Sequence, residues 1–183
     1  MNIDLNWTEL KPIDKIIFKE EYGIYIWGFM FDKEFVPYYV GIAYNTTIPQ
    51  RLTEHANQII GGRYCVIHSA DLKTFYNFKH DEETSDERGK MYIPNWPDGY
   101  SKFLTKRNIF KPHIDNMINK MHYSYALIND ESISKKEYEL IEKKCISSIG
   151  IEKLINFRGG KADVVTINKL TGDKRITDLF VNK

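Results

Sequence analysis

Tyr22-Gly23-Ile24-Tyr25-Ile26-Trp27-Gly28-Phe29-Met30-Phe31, Asp32-Lys33-Glu34, and Phe35-Val36-Pro37-Tyr38-Tyr39-Val40-Gly41-Ile42-Ala43 form the stretch that decides the fold. β-branched and aromatic residues fill both arms, and the charged triplet separates them, so the segment predicts a β-hairpin. Side chains alternate between the faces of a strand, so opposed residues share a face when their numbers sum to the constant of the pairing register. A three-residue loop at Asp32 to Glu34 pairs Phe31 with Phe35, an even register that brings Tyr25 and Tyr39 to one face. A two- or four-residue loop sends them to opposite faces, and the sequence leaves the loop length open.

The segment after the hairpin predicts a helix. Asn45, Thr46 and Thr47 offer capping oxygens, Pro49 suits a first turn, and Gly61-Gly62 supplies a stop. Arg51 and His55 lie four apart and share a face, while Leu52, Ala56, Ile59 and Ile60 form an apolar stripe. A guanidinium and an imidazole beside two phenols suit an anion.

With 183 residues and 42% hydrophobic content, the chain has material for one domain with a substantial core. A formal net charge of +1 means that any nucleic-acid footprint is local. Cys65 and Cys145 lack metal-ligand spacing, which points to a reduced compartment. No apolar run approaches the roughly 20 residues of a membrane span, and the N-terminus lacks a signal-peptide core. A cytoplasmic protein with no membrane partner is expected.

Working outward, residues 1 to 21 predict a short helix or extended arm covering one side of the sheet, since Pro12 breaks any long helix. Arg63 to His68 suit a short strand. Lys79 to Gly99 read as a charged loop whose acidic run lacks the turn glycine of a calcium loop. Ser101 to Lys120 carry Lys102, Lys106, Arg107, Lys111 and Lys120 against Asp115 alone, a basic stretch suited to phosphates. Its other reading is an amphipathic surface helix interrupted at Pro112. Met121 to Ile128 predict a strand. Ser134 and Glu137 form a capping-box pattern at the entrance to a helix whose apolar face holds Tyr138, Ile141, Cys145 and Ile149. Glu142 lies at the edge of that face, and Glu139 shares its side. Gly150 ends the helix, Arg158-Gly159-Gly160 suit a turn, and 164–168 with 174–180 predict a final hairpin.

The ordered set Gly23-Ile24-Tyr25, Tyr39-Val40-Gly41, Arg51, His55, Glu142 and Asn156 resembles the GIY-YIG nucleases, with Val40 where the second signature carries isoleucine. The resemblance implies an α+β fold: a small antiparallel sheet of about three central strands flanked by helices, in a single domain over 1–183. Its core would span 22–62 and 121–157, with an insertion at 63–120 and a C-terminal extension at 158–183. It also implies a DNA endonuclease, restriction- or mobile-element-like, needing one Mg2+ or Mn2+ ion. Tyr25 would act as general base or position the water, and Tyr39 would orient it. Arg51 would hold phosphate charge, and His55 would polarise a phenol or protonate the leaving group. Glu142, with Glu139 as runner-up, would hold the metal, and Asn156 would fix the local structure. DNA contacts would fall on Gly41, Lys102, Lys106, Arg107, Lys111 and Arg158, with a homodimer as a possible partner arrangement. Departures are the long insertion, Ile42 after the second signature, the long gap from Glu142 to Asn156, and no attached DNA-reading domain. A nucleic-acid-binding module that does not cut is the alternative.

Overall fold

The computed structural model describes residues 1–77, 91–92, 98–130, 132–156 and 162–181. Strand β1 (Asn2–Trp7) comes first, followed by the two-residue β2 (Lys11–Pro12) and the hairpin β3 (Gly23–Phe31) and β4 (Glu34–Ala43). Helix α1 (Ile48–Ile60) precedes a small ribbon of β5 (Val66–Ile67) and β6 (Met91–Tyr92). Helices α2 (Asp98–Thr105) and α3 (Arg107–Lys120) lead into β7 (Met121–Leu127) and α4 (Lys135–Ile149). Strand β8 (Thr166–Gly172) and α5 (Lys174–Val181) finish the described chain.

The main sheet runs β4-β3-β7-β1-β8, with β2 also on β7. The sheet is therefore wider than three central strands, and its β1–β8 pair is parallel. In β3 the face holding Tyr25, Trp27 and Phe29 packs against α1 and α3 through Leu52, Phe110, Ile114 and Met117. The face holding Ile24 and Ile26 packs against α4 and α5 through Ile141, Cys145 and Ile176. Burial on both faces explains why β3 reads as an unbroken apolar run.

Of its two expected forms the N-terminal arm takes the extended one, but it enters the sheet as strand β1 instead of covering one side of it, with Ile3, Leu5 and Trp7 buried and their neighbours exposed in a period-two pattern. Two other expectations change. The final hairpin is instead a strand and a helix. Asp173 opens α5 by accepting the Arg175 N–H, and Ile176, Leu179 and Phe180 recur at helical spacing against the core. The basic stretch divides at Lys106, not at Pro112, which lies inside α3 on its exposed side. Capping boxes at Thr47 with Gln50 and at Ser134 with Glu137 start α1 and α4. Gly150, at φ 104, lets the chain leave α4 through a conformation that side chains disfavour. Among the described residues, no helix is long and apolar enough to cross a membrane.

Candidate active site

The hairpin turn has two residues, since Phe31 pairs with Glu34. Met30 with Phe35, Phe29 with Val36, and Gly28 with Pro37 keep that odd register, which alone would put Tyr25 and Tyr39 on opposite faces. The register then shifts between Trp27 and Gly28: Trp27 pairs with Tyr39 and Tyr25 with Gly41, both even. Tyr38 is the extra residue of a β-bulge, and the bulge delivers both phenols to the face covered by α1. The loop length left open by the sequence is two residues, and the bulge overturns the opposite-face outcome that such a loop alone implies.

Gly41 lies directly beneath this pair. A Cβ there would collide with the Tyr25 phenol and the Tyr39 ring, so the glycine is a spatial requirement of the stacked phenols. It is buried, and its expected place among the DNA contacts is thereby corrected.

On α1, Arg51 and His55 face the phenols. The Tyr25 hydroxyl and His55 Nε2 are 2.9 Å apart, and the His55 ring centre lies 4.8 Å from that of Tyr39. The Tyr25 and Tyr39 rings stack with centres 6.3 Å apart. Arg51 Nη1 donates to Glu54 at 2.5 Å, and its guanidinium also reaches the Tyr25 phenol. From the other side of the sheet, α4 passes the edge strand β4 and brings Glu142 close enough for its charge to act on Tyr25 and Tyr39. The Glu139 charge acts on Glu142 in turn.

Burial governs the ionisation of the whole cluster. It pushes the Tyr25 phenol far above its ordinary range, with Tyr39 adding and Arg51 opposing. Tyr39 is raised by burial and then by the Glu142 charge. His55 is lowered to about 4 by burial, with Arg51 adding, so its imidazole is neutral at pH 7. Its Nδ1 is buried without a hydrogen-bond partner. Glu142 is pushed up to about 7 by burial, then by Glu139, with Arg51 opposing.

Glu142 is a carboxylate held largely out of water beside a second carboxylate, only partly balanced by Arg51 and Lys143, and a divalent cation would add the positive charge that ionising it calls for. Among the described residues no group of three or more His, Cys, Asp or Glu gathers for a metal. Magnesium commonly takes one or two protein carboxylates and completes its shell with water and substrate phosphate, so Glu142 with Glu139 nearby fits such an ion.

Asn156 stands outside this cluster and pins its scaffold. The Val40 N–H donates to Asn156 Oδ1 at 3.0 Å, and Asn156 Nδ2 donates to the Val40 carbonyl at 2.8 Å. The neighbouring Ile155 N–H donates to the Tyr38 carbonyl at 2.7 Å. The segment 155–156 thus grips the free edge of β4 at the bulge itself. It acts on the site through the strand that carries Tyr39.

Of the basic residues, Arg107 and Lys111 are exposed on α3, and Lys106 caps that helix half-buried. Lys111 is paired with Asp115 at 2.5 Å. Lys102 lies in α2 with its side chain outside the described residues, and Arg158 lies outside them altogether. Sequence reasoning missed Tyr64, whose ring stands edge-on to His55 with centres 5.8 Å apart and whose phenol is raised by burial and by Tyr39. Trp27 and Tyr38 complete the aromatic wall. The only signal for Tyr64 was its place just after the Gly61-Gly62 stop, where the chain turns back over α1. No family model matches this chain, and neither the curated proteins nor the solved structures provide a match.

Proposed function

We propose that this protein is a metal-dependent DNA endonuclease of the restriction or mobile-element type, hydrolysing phosphodiester bonds at the Tyr25–Arg51–Glu142 cluster. The observation that supports it is the meeting of two phenols, a guanidinium and a neutral imidazole on one side of a bulged hairpin, with Glu142 on α4 near enough for its charge to act on the phenols. Such a set answers the demands of phosphodiester hydrolysis: an activated water, counter-charge for the transition state and help for the leaving oxygen.

Arg51 binds the phosphate and stabilises the charge that develops on it. Tyr25, in its ionised form, takes a proton from the attacking water as the new O–P bond forms and the O–P bond to the leaving oxygen breaks, the leaving oxygen taking its proton from solvent. Direct ionisation of a free phenol at pH 7 costs about 4 kcal/mol, burial makes it costlier for Tyr25, and the Arg51 charge offsets part of that cost, while His55 positions the Tyr25 hydroxyl by its hydrogen bond. Tyr39 keeps the Tyr25 ring in place by stacking and lends its hydroxyl to the phosphate. A Mg2+ or Mn2+ ion held by Glu142 would add positive charge at the phosphate and the leaving oxygen. The second reading, a module that binds DNA without cutting, has no use for Glu142, whose charge repels phosphate unless a cation is present.

The test is incubation of long genomic DNA of mixed sequence with the protein in Mg2+, in Mn2+ and in chelator. Cleavage in either metal and none in chelator supports the reading. Intact DNA that is nonetheless retained by the protein favours the binding module.

A further inference from the structure

A cavity of about 500 Å3 opens at the end of the sheet, between the loop before β3, the turn after β4 and the first turns of α4. Its walls carry aromatic rings from Tyr44 and Tyr138, which stand edge to face with centres 5.0 Å apart. Asn45, Asn129, Glu20 and Asp130 also line it, whereas the Glu21 carboxylate is turned to Tyr125. Tyr138 precedes Glu142 by four residues on α4, so the cavity lies about one helical turn, roughly 6 Å, from the candidate metal ligand.

The wall formed by Glu20 and Glu21 continues backward into an apolar tip. Ile17 is 58% exposed and Phe18 is 73% exposed, and the exposed cations Lys15 and Lys19 flank them. Two residues of extended chain span at most about 7 Å, so Phe18 lies within that reach of Glu20 in the cavity wall.

We propose that the cavity receives an unstacked nucleobase of the strand whose phosphate is held at Arg51, a reading that rests on the proposed nuclease function for the identity of the polymer. Carboxylates in the wall repel phosphate, which keeps the backbone at Arg51 and leaves the cavity to the base. The half-buried Tyr44 ring, backed by the buried Tyr138, can stack on any base, and carboxylate and amide oxygens accept hydrogen bonds from the exocyclic amino groups of cytosine and adenine. The volume lies in the range of small-molecule pockets and far exceeds an ammonium head group. An exposed phenylalanine between lysines suits a wedge that enters a base step while the cations meet phosphates. The competing occupant is an aliphatic cation, which aromatic and acidic walls also attract.

The experiment is titration of the full chain, in chelator, with cytidine, adenosine, thymidine and spermidine, following the Tyr44 and Tyr138 ring signals by NMR. Cytidine and adenosine are expected to shift both signals and saturate in the millimolar range, with thymidine weaker by about tenfold, the worth of one hydrogen bond. The surface variants Asn129→Ala and Glu20→Gln are expected to weaken cytidine or adenosine about three- to tenfold without unfolding the protein. No shift with any nucleoside, binding indifferent to both variants, or saturation by spermidine in preference to the nucleosides would overturn the proposal. Nucleoside binding without DNA cleavage supports the cavity and counts against the nuclease; cleavage without nucleoside binding does the reverse.

Discussion

Glu142 and His55 are the site residues whose buried values fall within the accessible pH range, and they alter stability in opposite senses. Glu142 has its folded value raised to about 7, so between its ordinary value and about 7 the folded state holds the extra proton and stability falls as pH rises. The ionised carboxylate then costs about 1–3 kcal/mol at pH 8, discounted for its partial exposure. Glu142→Gln is therefore expected to raise stability by that amount at pH 8 and to gain little at pH 4.5, as urea melts in chelator would register. His55, lowered to about 4, behaves inversely: the unfolded chain takes the proton first, so stability present above its ordinary value is lost as pH falls towards about 4. The two slopes offset each other in the wild type, and Glu142→Gln should unmask a steeper acid loss. An imidazole that titrates above pH 6 in its NMR spectrum would contradict the neutral His55. Activity should rise with pH from 6 to 9, because an ion on Glu142 requires its carboxylate form and Tyr25 loses its proton more readily in alkali. A rate that stays flat from pH 6 to 10, with chemistry limiting, would exclude both assignments.

At the scale of the elements, the bulge at Tyr38 converts a two-residue turn into a hairpin with both phenols on one face, and the Asn156 clamp holds that bulge at the sheet edge. Asn156→Ala removes two hydrogen bonds to Val40 and should cost about 1–3 kcal/mol, with a fall in activity larger than any loss of DNA affinity. Asn156→Asp should be no better, since it turns the donor facing the Val40 carbonyl into an acceptor. If the alanine variant keeps full stability and rate, the clamp is not what positions the phenols. Gly41→Ala should move the Tyr25 ring and abolish the Tyr25–His55 hydrogen bond, readable as a shifted His55 titration. These elements were unevenly legible in the sequence. The hairpin, α1 and α4 announce themselves through apolar periodicity and capping residues. The bulge does not, because the extra residue lies among Tyr38, Tyr39 and Val40, all equally suited to a strand, and only the packed pairing fixes which one is unpaired.

Across the whole molecule, the flanking segments proved harder to read than the site. β1 and β8 join the sheet through a parallel pairing of chain ends, a contact with no local sequence signature. α5 looked like a strand because Ile176, Leu179 and Phe180 are apolar and short runs carry either period. Tyr25, Tyr39, Arg51, His55 and Glu142 were each legible as residues. What brings Arg51 and His55 to the phenols, and Glu142 near enough for its charge to act on them, was not, since it depends on how α1 and α4 pack against the hairpin. The account requires these groups to act as one site. The most direct test is the cleavage rate of mixed-sequence DNA in Mg2+ for the wild type beside Glu142→Gln and Arg51→Ala. Each variant is predicted to lose at least about hundredfold in rate while still binding DNA. Either variant cutting as fast as the wild type would contradict the shared site.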